Sequence, residues 1–109
     1  MNKTYCIDVD GTICDERKTF EKSLAEPKQD IINIVNKLYS AGNRIIIYTA
    51  RGWGEYSMTE RWLEDNGVKY HQLLCGKPIA DVFLDDRAVN VKDADKLLGT
   101  NQANKGKGE

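Results

Sequence analysis

Arg44-Ile45-Ile46-Ile47-Tyr48-Thr49 decides the fold. This β-branched run shows no polar alternation, the mark of a strand covered on both faces, and such strands build parallel sheets flanked by helices. Before it, Ile31, Ile32, Ile34, Val35, Leu38 and Tyr39 recur at helical spacing, with Pro27 suited to a first turn and Gly42 to a C-cap. After it, Ala50-Arg51-Gly52-Trp53-Gly54 reads as loop. Ser57-Met58-Thr59-Glu60 has capping-box spacing and opens a second helix running to Gly67. Further out, Tyr5-Cys6-Ile7-Asp8-Val9-Asp10 is a strand ending in acid, followed by the turn residues Gly11-Thr12. Residues 14–26 are polar and mixed, long enough for a hairpin or irregular flap. Tyr70 to Leu74 forms a third strand, Val82-Phe83-Leu84 a fourth, and Lys92 to Leu98 a last short helix closed by Gly99.

Strand–helix alternation predicts an α/β domain with a small, mostly parallel sheet between helices. One junction is tight. Seven residues, Cys75 to Asp81, separate the third and fourth strands, whereas a parallel crossover with its helix needs at least ~10–12. Either the connection crosses in extended form, the reading adopted, or one strand is misassigned.

The chain has 109 residues, 30% charged and 40% hydrophobic, which allows one domain and no substantial lid. Sixteen basic and seventeen acidic side chains leave a net charge of -1, so composition makes no case for tight nucleic-acid or membrane binding. No apolar run approaches the ~20 residues of a membrane span, and the N-terminus does not read as a signal peptide. Three cysteines (Cys6, Cys14, Cys75) without CxxC spacing, and one histidine, argue against a disulfide framework or zinc site. The expectation is a cytoplasmic domain over residues 1–99 with a disordered tail at 100–109.

In a parallel α/β sheet, ligands bind at the carboxyl ends of the strands. Those ends carry Asp8 and Asp10, Thr49, and Asp85-Asp86, with Lys77 just past the third strand. Clustered carboxylates repel and raise one another's pKa, which a divalent cation relieves, and all-oxygen ligation suits Mg²⁺. A carboxylate beside such a metal can attack phosphorus to give an aspartyl-phosphate. If the chain turns at Gly11, Asp10 swings toward the site as acid and base. Thr49 and free backbone N–H groups suit phosphate oxygens, and Lys77 neutralises charge. Singly these residues are ordinary: Asp-x-Asp a turn former, Thr49 a β-former, Lys77 a loop lysine, Asp85-Asp86 a helix cap. As an exact string, Asp-x-Asp-Gly-Thr arises by chance in roughly one chain in a thousand of this length. Joint placement at strand ends carries the argument.

The four stretches Ile7-Asp8-Val9-Asp10-Gly11-Thr12, Ile46-Ile47-Tyr48-Thr49, Gly76-Lys77-Pro78 and Phe83-Leu84-Asp85-Asp86 resemble the motifs of the haloacid dehalogenase (HAD) superfamily, in particular its phosphatases. The resemblance spans residues 5 to about 90 and implies a Rossmann-like three-layer fold. It implies Asp8 as nucleophile, Asp10 as acid and base, and Thr49 and Lys77 in catalysis. Asp8, the Asp10 carbonyl and Asp85 would hold Mg²⁺, with Asp86 in support. Gly11, Thr12, Ala50, Arg51 and Trp53 would line the phosphate and substrate. The family inserts caps after the first motif or between the second and third; neither interval leaves room for one, so the chain resembles a capless member. Capless relatives take bulky substrates or borrow a neighbouring subunit, so a homo-oligomer is among the expected partners.

Within the family, Tyr48-Thr49-Ala50-Arg51 and Leu84-Asp85-Asp86-Arg87-Ala88 resemble small phosphatases of capsule and sugar-phosphate biosynthesis. Asp85-Asp86-Arg87 with Met58 to Asp65 also resembles the phosphatase half of polynucleotide kinase-phosphatases, so a nucleotide or nucleic-acid 3′-phosphate is the alternative substrate. Arg51, Trp53 and Tyr56 are expected near the mouth, where Arg pairs with an acid and the rings stack on a sugar or base; covering the sheet edge is the plainer role for the rings. Met58 and Trp62 read as core, Cys6 as a buried strand residue and His71 as structural or exposed. Two other classes compete. A phospho-accepting signalling module has the same size and residue types, but its acidic pair and Lys come in another order. A catalytically inactive binding protein on this fold would bind Mg²⁺ or ligand without turnover.

Overall fold

The structure is a computed structural model that describes residues 2–17 and 19–98. The chain forms two compact units, Met1–Ile79 and Ala80–Glu109. The expected tail, 100–109, lies outside the described residues.

The first unit is a small α/β fold. Its strands are β1 (Thr4–Ile7), β2 (Arg44–Tyr48) and β3 (Gln72–Leu74), and its helices are α1 (Gln29–Ser40) and α2 (Tyr56–Asp65). The three strands form one parallel sheet in the order β1-β2-β3, with Ile7 beside Ile47 and Tyr48 beside Leu74. This agrees with the predicted strand–helix alternation and with a Rossmann-like arrangement. Parallel crossovers are almost always right-handed, and two that step in the same direction carry their helices to one face. Burial along β2 follows: Ile45 and Ile47 are fully buried while Ile46 and Tyr48 are half-buried. The expected cover on both faces is uneven: one face of β2 is fully buried and the other half-buried.

The buried face is continued by Leu73 of β3, and by Ile31, Ile32, Val35 and Leu38 on α1, the periodic residues that predicted that helix. Each such side chain contributes roughly 1.5–3 kcal/mol when removed from water. Helix α1 begins two residues after Pro27, whose neighbourhood is bridged to Cys14 instead. At its other end Gly42 takes φ +95° and donates to the Tyr39 carbonyl, the left-handed stop expected of a glycine there. Helix α2 does not begin on the predicted capping box. Ser57 lies inside the helix, and a turn earlier the Gly52 N–H is capped by Glu55 Oε1 at 3.0 Å. Trp62 is buried and its indole N–H donates to the Ala25 carbonyl at 2.9 Å, tying α2 to the segment after β1. That segment closes as a flap: Asp15 N–H bonds the Glu26 carbonyl and Lys28 N–H the Ile13 carbonyl, with a 3₁₀ helix at Thr19–Leu24 between.

One local reading is corrected. Cys6 is exposed, because alternation along β1 turns it to the less covered face. His71, expected to be structural or exposed, is both: it stacks on Tyr39 with centroids 4.6 Å apart, and its Nδ1 accepts the Ile45 N–H at 3.0 Å.

In the second unit, the described residues 80–98 contain a 3₁₀ helix at Val91–Leu98, where a short helix was predicted. The predicted fourth strand is absent among the described residues. Val82, Phe83 and Leu84 form no ladder and are 77%, 52% and 101% exposed. Apolar character alone predicted that strand, and a strand also needs a free sheet edge within reach of its connection; seven residues are short for a parallel return.

Candidate functional site

The carboxyl ends of β1, β2 and β3 face one edge, and the chain leaves each in a way that gathers polar groups there. After β1, Asp8 Oδ1 accepts the Val9 N–H at 2.8 Å, and the buried Val9 carbonyl receives the N–H groups of Thr12 and Ile13. The turn closes through Gly11, whose φ of +80° a side chain would strain and whose N–H bonds the Cys14 carbonyl. This reverses the chain, so Asp10 does not continue the extended alternation of β1. After β2 and β3 the two exits are laced together: Thr49 N–H to the Leu74 carbonyl, Lys77 N–H to the Thr49 carbonyl and Gly76 N–H to the Arg51 carbonyl, each at 2.9 Å. Gly76, at φ +81°, makes the bend, and a side chain there would meet the Trp53 indole nitrogen at 3.1 Å.

Two ion pairs result. Lys77 Nζ stands 3.6 Å from Asp8 Oδ2, with the Asp8 side chain about one-third exposed. Lys77 Nζ also lies 6.0 Å from the centre of the Tyr48 ring. The short 75–81 connection therefore leaves Lys77 at the sheet edge beside Asp8. The second pair is a fork: Arg51 Nη2 donates to Asp10 Oδ1 at 2.8 Å and Nε to Oδ2 at 3.0 Å. The Arg51 side chain is fully buried. Its Nη1 donates to Thr59 Oγ1 of α2 at 3.0 Å, and its N–H to Thr49 Oγ1 at 3.1 Å. Burial works against the Arg51 charge, but the hydrogen bonds and charge of Asp10 outweigh it and hold the guanidinium above its ordinary pKa. Arg51 was expected to face a substrate acid at the mouth. Its guanidinium instead faces Asp10, because the turn at Gly11 brings that carboxylate within reach.

Thr49 is likewise fully buried, its hydroxyl turned to the Arg51 backbone. Gly11 and Thr12 lie in the turn beside Asp10, and Ala50 is exposed at the exit of β2. Trp53 is 59% exposed and stacks on Tyr56 with ring centroids 5.9 Å apart. Both border an open cavity of about 570 Å³ that continues along Tyr70, His71 and Gln72. Thr59 was missed as a site residue: its sequence neighbourhood reads as a helix start, and nothing local signals an arginine arriving from eight residues earlier.

The buried thiols take no part as nucleophiles. Burial first, and the charge of Asp10 next, push Cys14 up to about 12. Burial likewise raises Cys75. Both are held as thiols at neutral pH, which leaves little thiolate for nucleophilic attack. The expected metal carboxylates divide between the units, Asp8 and Asp10 in the first, Asp85 and Asp86 in the second. Asp85 Oδ1 accepts the Arg87 N–H at 2.7 Å, a local turn. Among the described residues no group of three His, Cys, Asp or Glu side chains is gathered to hold a metal ion. Nor is any helix among them long and apolar enough to cross a membrane.

No protein-family model and no curated protein matches the chain. Among solved structures, a structural-genomics target from Vibrio cholerae is similar at 27% identity and a TM-score of 0.74, over 86% of this chain and 87% of that one. A chain of the Pnkp1/Rnl/Hen1 complex is similar at 19% identity and TM-score 0.59, over 78% of this chain. A chain of the Pnkp1/Rnl/Hen1 RNA repair complex is similar at 18% identity and TM-score 0.59, over 89% of this chain. The match spans only 30% of each of those longer chains, and at such identities it shows the fold alone. Together these likenesses extend the small α/β fold to most of the chain.

Proposed function

We propose that the chain is a phosphomonoesterase of the HAD kind, with Asp8 as nucleophile. The observation that carries this reading is the Asp8–Lys77 pair, a partly exposed carboxylate 3.6 Å from an ammonium at the carboxyl edge of a parallel sheet. Attack by Asp8 on phosphorus forms an aspartyl-phosphate while the bond to the leaving oxygen breaks, and Asp10 protonates that oxygen. Asp10 then takes a proton from the water that releases phosphate. Lys77 offsets the negative charge carried by Asp8 and the phosphoryl group.

The donor set suits a hard cation. Asp8 and the Asp10 main-chain carbonyl would offer oxygen donors, a chemistry that fits Mg²⁺. The HAD resemblance assigns Asp85 and Asp86 to the same ion. When bound, Mg²⁺ supplies Lewis-acid polarisation of the phosphoryl oxygens.

A sugar phosphate or related metabolite is the first substrate reading. A 3′-phosphorylated nucleic-acid end is the second, favoured by exposed Trp53 stacked on half-buried Tyr56 beside an open cavity and by the fold shared with chains of an RNA repair complex. The test is phosphate release from p-nitrophenyl phosphate, sugar phosphates, mononucleotides and 3′-phosphorylated oligonucleotides, with Mg²⁺ or with EDTA. Turnover that needs the metal and falls about a thousand-fold or more in Asp8→Asn is expected. Full activity in Asp8→Asn refutes the assignment, and preference for the oligonucleotide selects the second substrate.

A further inference from the structure

The fork between Arg51 and Asp10 determines more than an ion pair. An ionised carboxylate offers about four lone-pair sites, two on each oxygen. Asp10 Oδ1 accepts Arg51 Nη2 at 2.8 Å and has the Cys14 thiol 3.7 Å away. Asp10 Oδ2 accepts Arg51 Nε at 3.0 Å, which leaves it a second lone pair. The guanidinium is planar, so its two parallel bonds set the plane of the carboxylate as well as its place. Arg51 is itself held: its side chain is fully buried, Nη1 bonds Thr59 Oγ1 on α2 at 3.0 Å, and its N–H bonds Thr49 Oγ1 at the end of β2. The Asp10 side chain keeps 18% exposure, so water reaches the carboxylate that Arg51 grips from within.

We propose that Arg51 is a positioning residue that holds Asp10 with Oδ2 as the oxygen that accepts a proton from water. The inference rests on the phosphatase reading above and adds a role that reading does not contain. In this step the water oxygen bonds to phosphorus and the bond from phosphorus to the Asp8 oxygen breaks. The electron pair of that bond stays on the Asp8 carboxylate, and the water proton goes to Asp10 Oδ2. Lysine in place of arginine keeps the charge but offers no planar pair of donors, so the carboxylate can rotate away. A misplacement of about 1 Å costs on the order of a hundred-fold in rate.

The test compares the full chain with Arg51→Lys on p-nitrophenyl phosphate and on an alkyl phosphate. No turnover by the wild-type chain overturns the phosphatase reading, and this inference with it. Given wild-type turnover, Arg51→Lys is expected to lose about 10- to 100-fold in kcat on p-nitrophenyl phosphate. KM should fall in step, because nitrophenolate leaves unaided and only the water step slows. Quenched-flow should then show a burst of nitrophenol near one per active site, with phosphate trapped on Asp8. On the alkyl phosphate, whose leaving oxygen needs the Asp10 proton, both steps slow, so its kcat should fall at least as far as that on p-nitrophenyl phosphate. A loss of kcat at constant KM without a burst marks a purely structural role, and a rise in KM with kcat kept marks contact with substrate phosphate. Either result overturns the proposal. If Arg51→Lys fails to fold by circular dichroism, Thr59→Val, which removes the acceptor of Nη1, is read the same way, and absence of a burst overturns it. A readout independent of turnover is the urea midpoint in EDTA. Arg51→Lys with Asp10→Asn should lower it no further than the larger single change, and full additivity overturns the pairing.

Discussion

Cys14 sits fully buried against the Asp10 carboxylate, and burial pushes its thiol up to about 12 in the folded chain. In the unfolded chain it titrates near ~8.5. Between those values the unfolded state has lost a proton that the folded state keeps, so stability falls as pH rises through this window. The slope from this one group is about 1.4 kcal/mol per pH unit. Urea unfolding at pH 8, 9 and 10 should show the wild-type chain losing stability faster than Cys14→Ala. Parallel curves would show that Cys14 titrates alike in both states. At this scale the sequence located the polar residues at the strand ends and was silent about most of their partners. Asp8, Asp10, Thr49 and Lys77 are legible as polar residues at strand ends. That Arg51 would face Asp10 is not, because 41 residues separate the two.

At the scale of elements, α1 and β2 follow from periodicity, since their apolar residues meet one buried face. Helix α2 follows in extent but not in how it is held. It is docked by Trp62, whose N–H bonds the carbonyl of the buried Ala25 at 2.9 Å. Trp62→Phe keeps an aromatic ring and orphans that carbonyl. An unsatisfied buried acceptor costs about 1–3 kcal/mol. The variant should therefore lose about that much unfolding free energy, which urea unfolding measures. An unchanged midpoint would mean that water replaces the indole at Ala25. The capping box misled because Ser57-Met58-Thr59-Glu60 satisfies the spacing while the helix has already begun at Tyr56. Thr59, in the first turn of α2, is buried as the acceptor for Arg51.

For the whole molecule, the difference between reading and structure concentrates in Val82-Phe83-Leu84. As a fourth strand these residues would be core; in the structure they are exposed, Leu84 completely. The two arrangements differ in what a truncation costs. Exposed Leu84→Ala should change stability by no more than about 0.5 kcal/mol, whereas a buried leucine would cost about 2–5 kcal/mol. Equilibrium unfolding of the variant distinguishes them, and a loss in the larger range would place Leu84 in a core.

The sequence by itself determined the α/β class, a parallel sheet and the acidic and basic residues that leave the carboxyl ends of its strands. Those properties are local: hydrophobic period, turn residues and the polarity of strand ends act over a few neighbours. Only the tertiary structure decided that Gly11 turns Asp10 onto Arg51 and that Thr59 completes that grip. Those are contacts between segments far apart in the chain, selected by geometry and burial, and a linear pattern carries no record of which charged group another will meet.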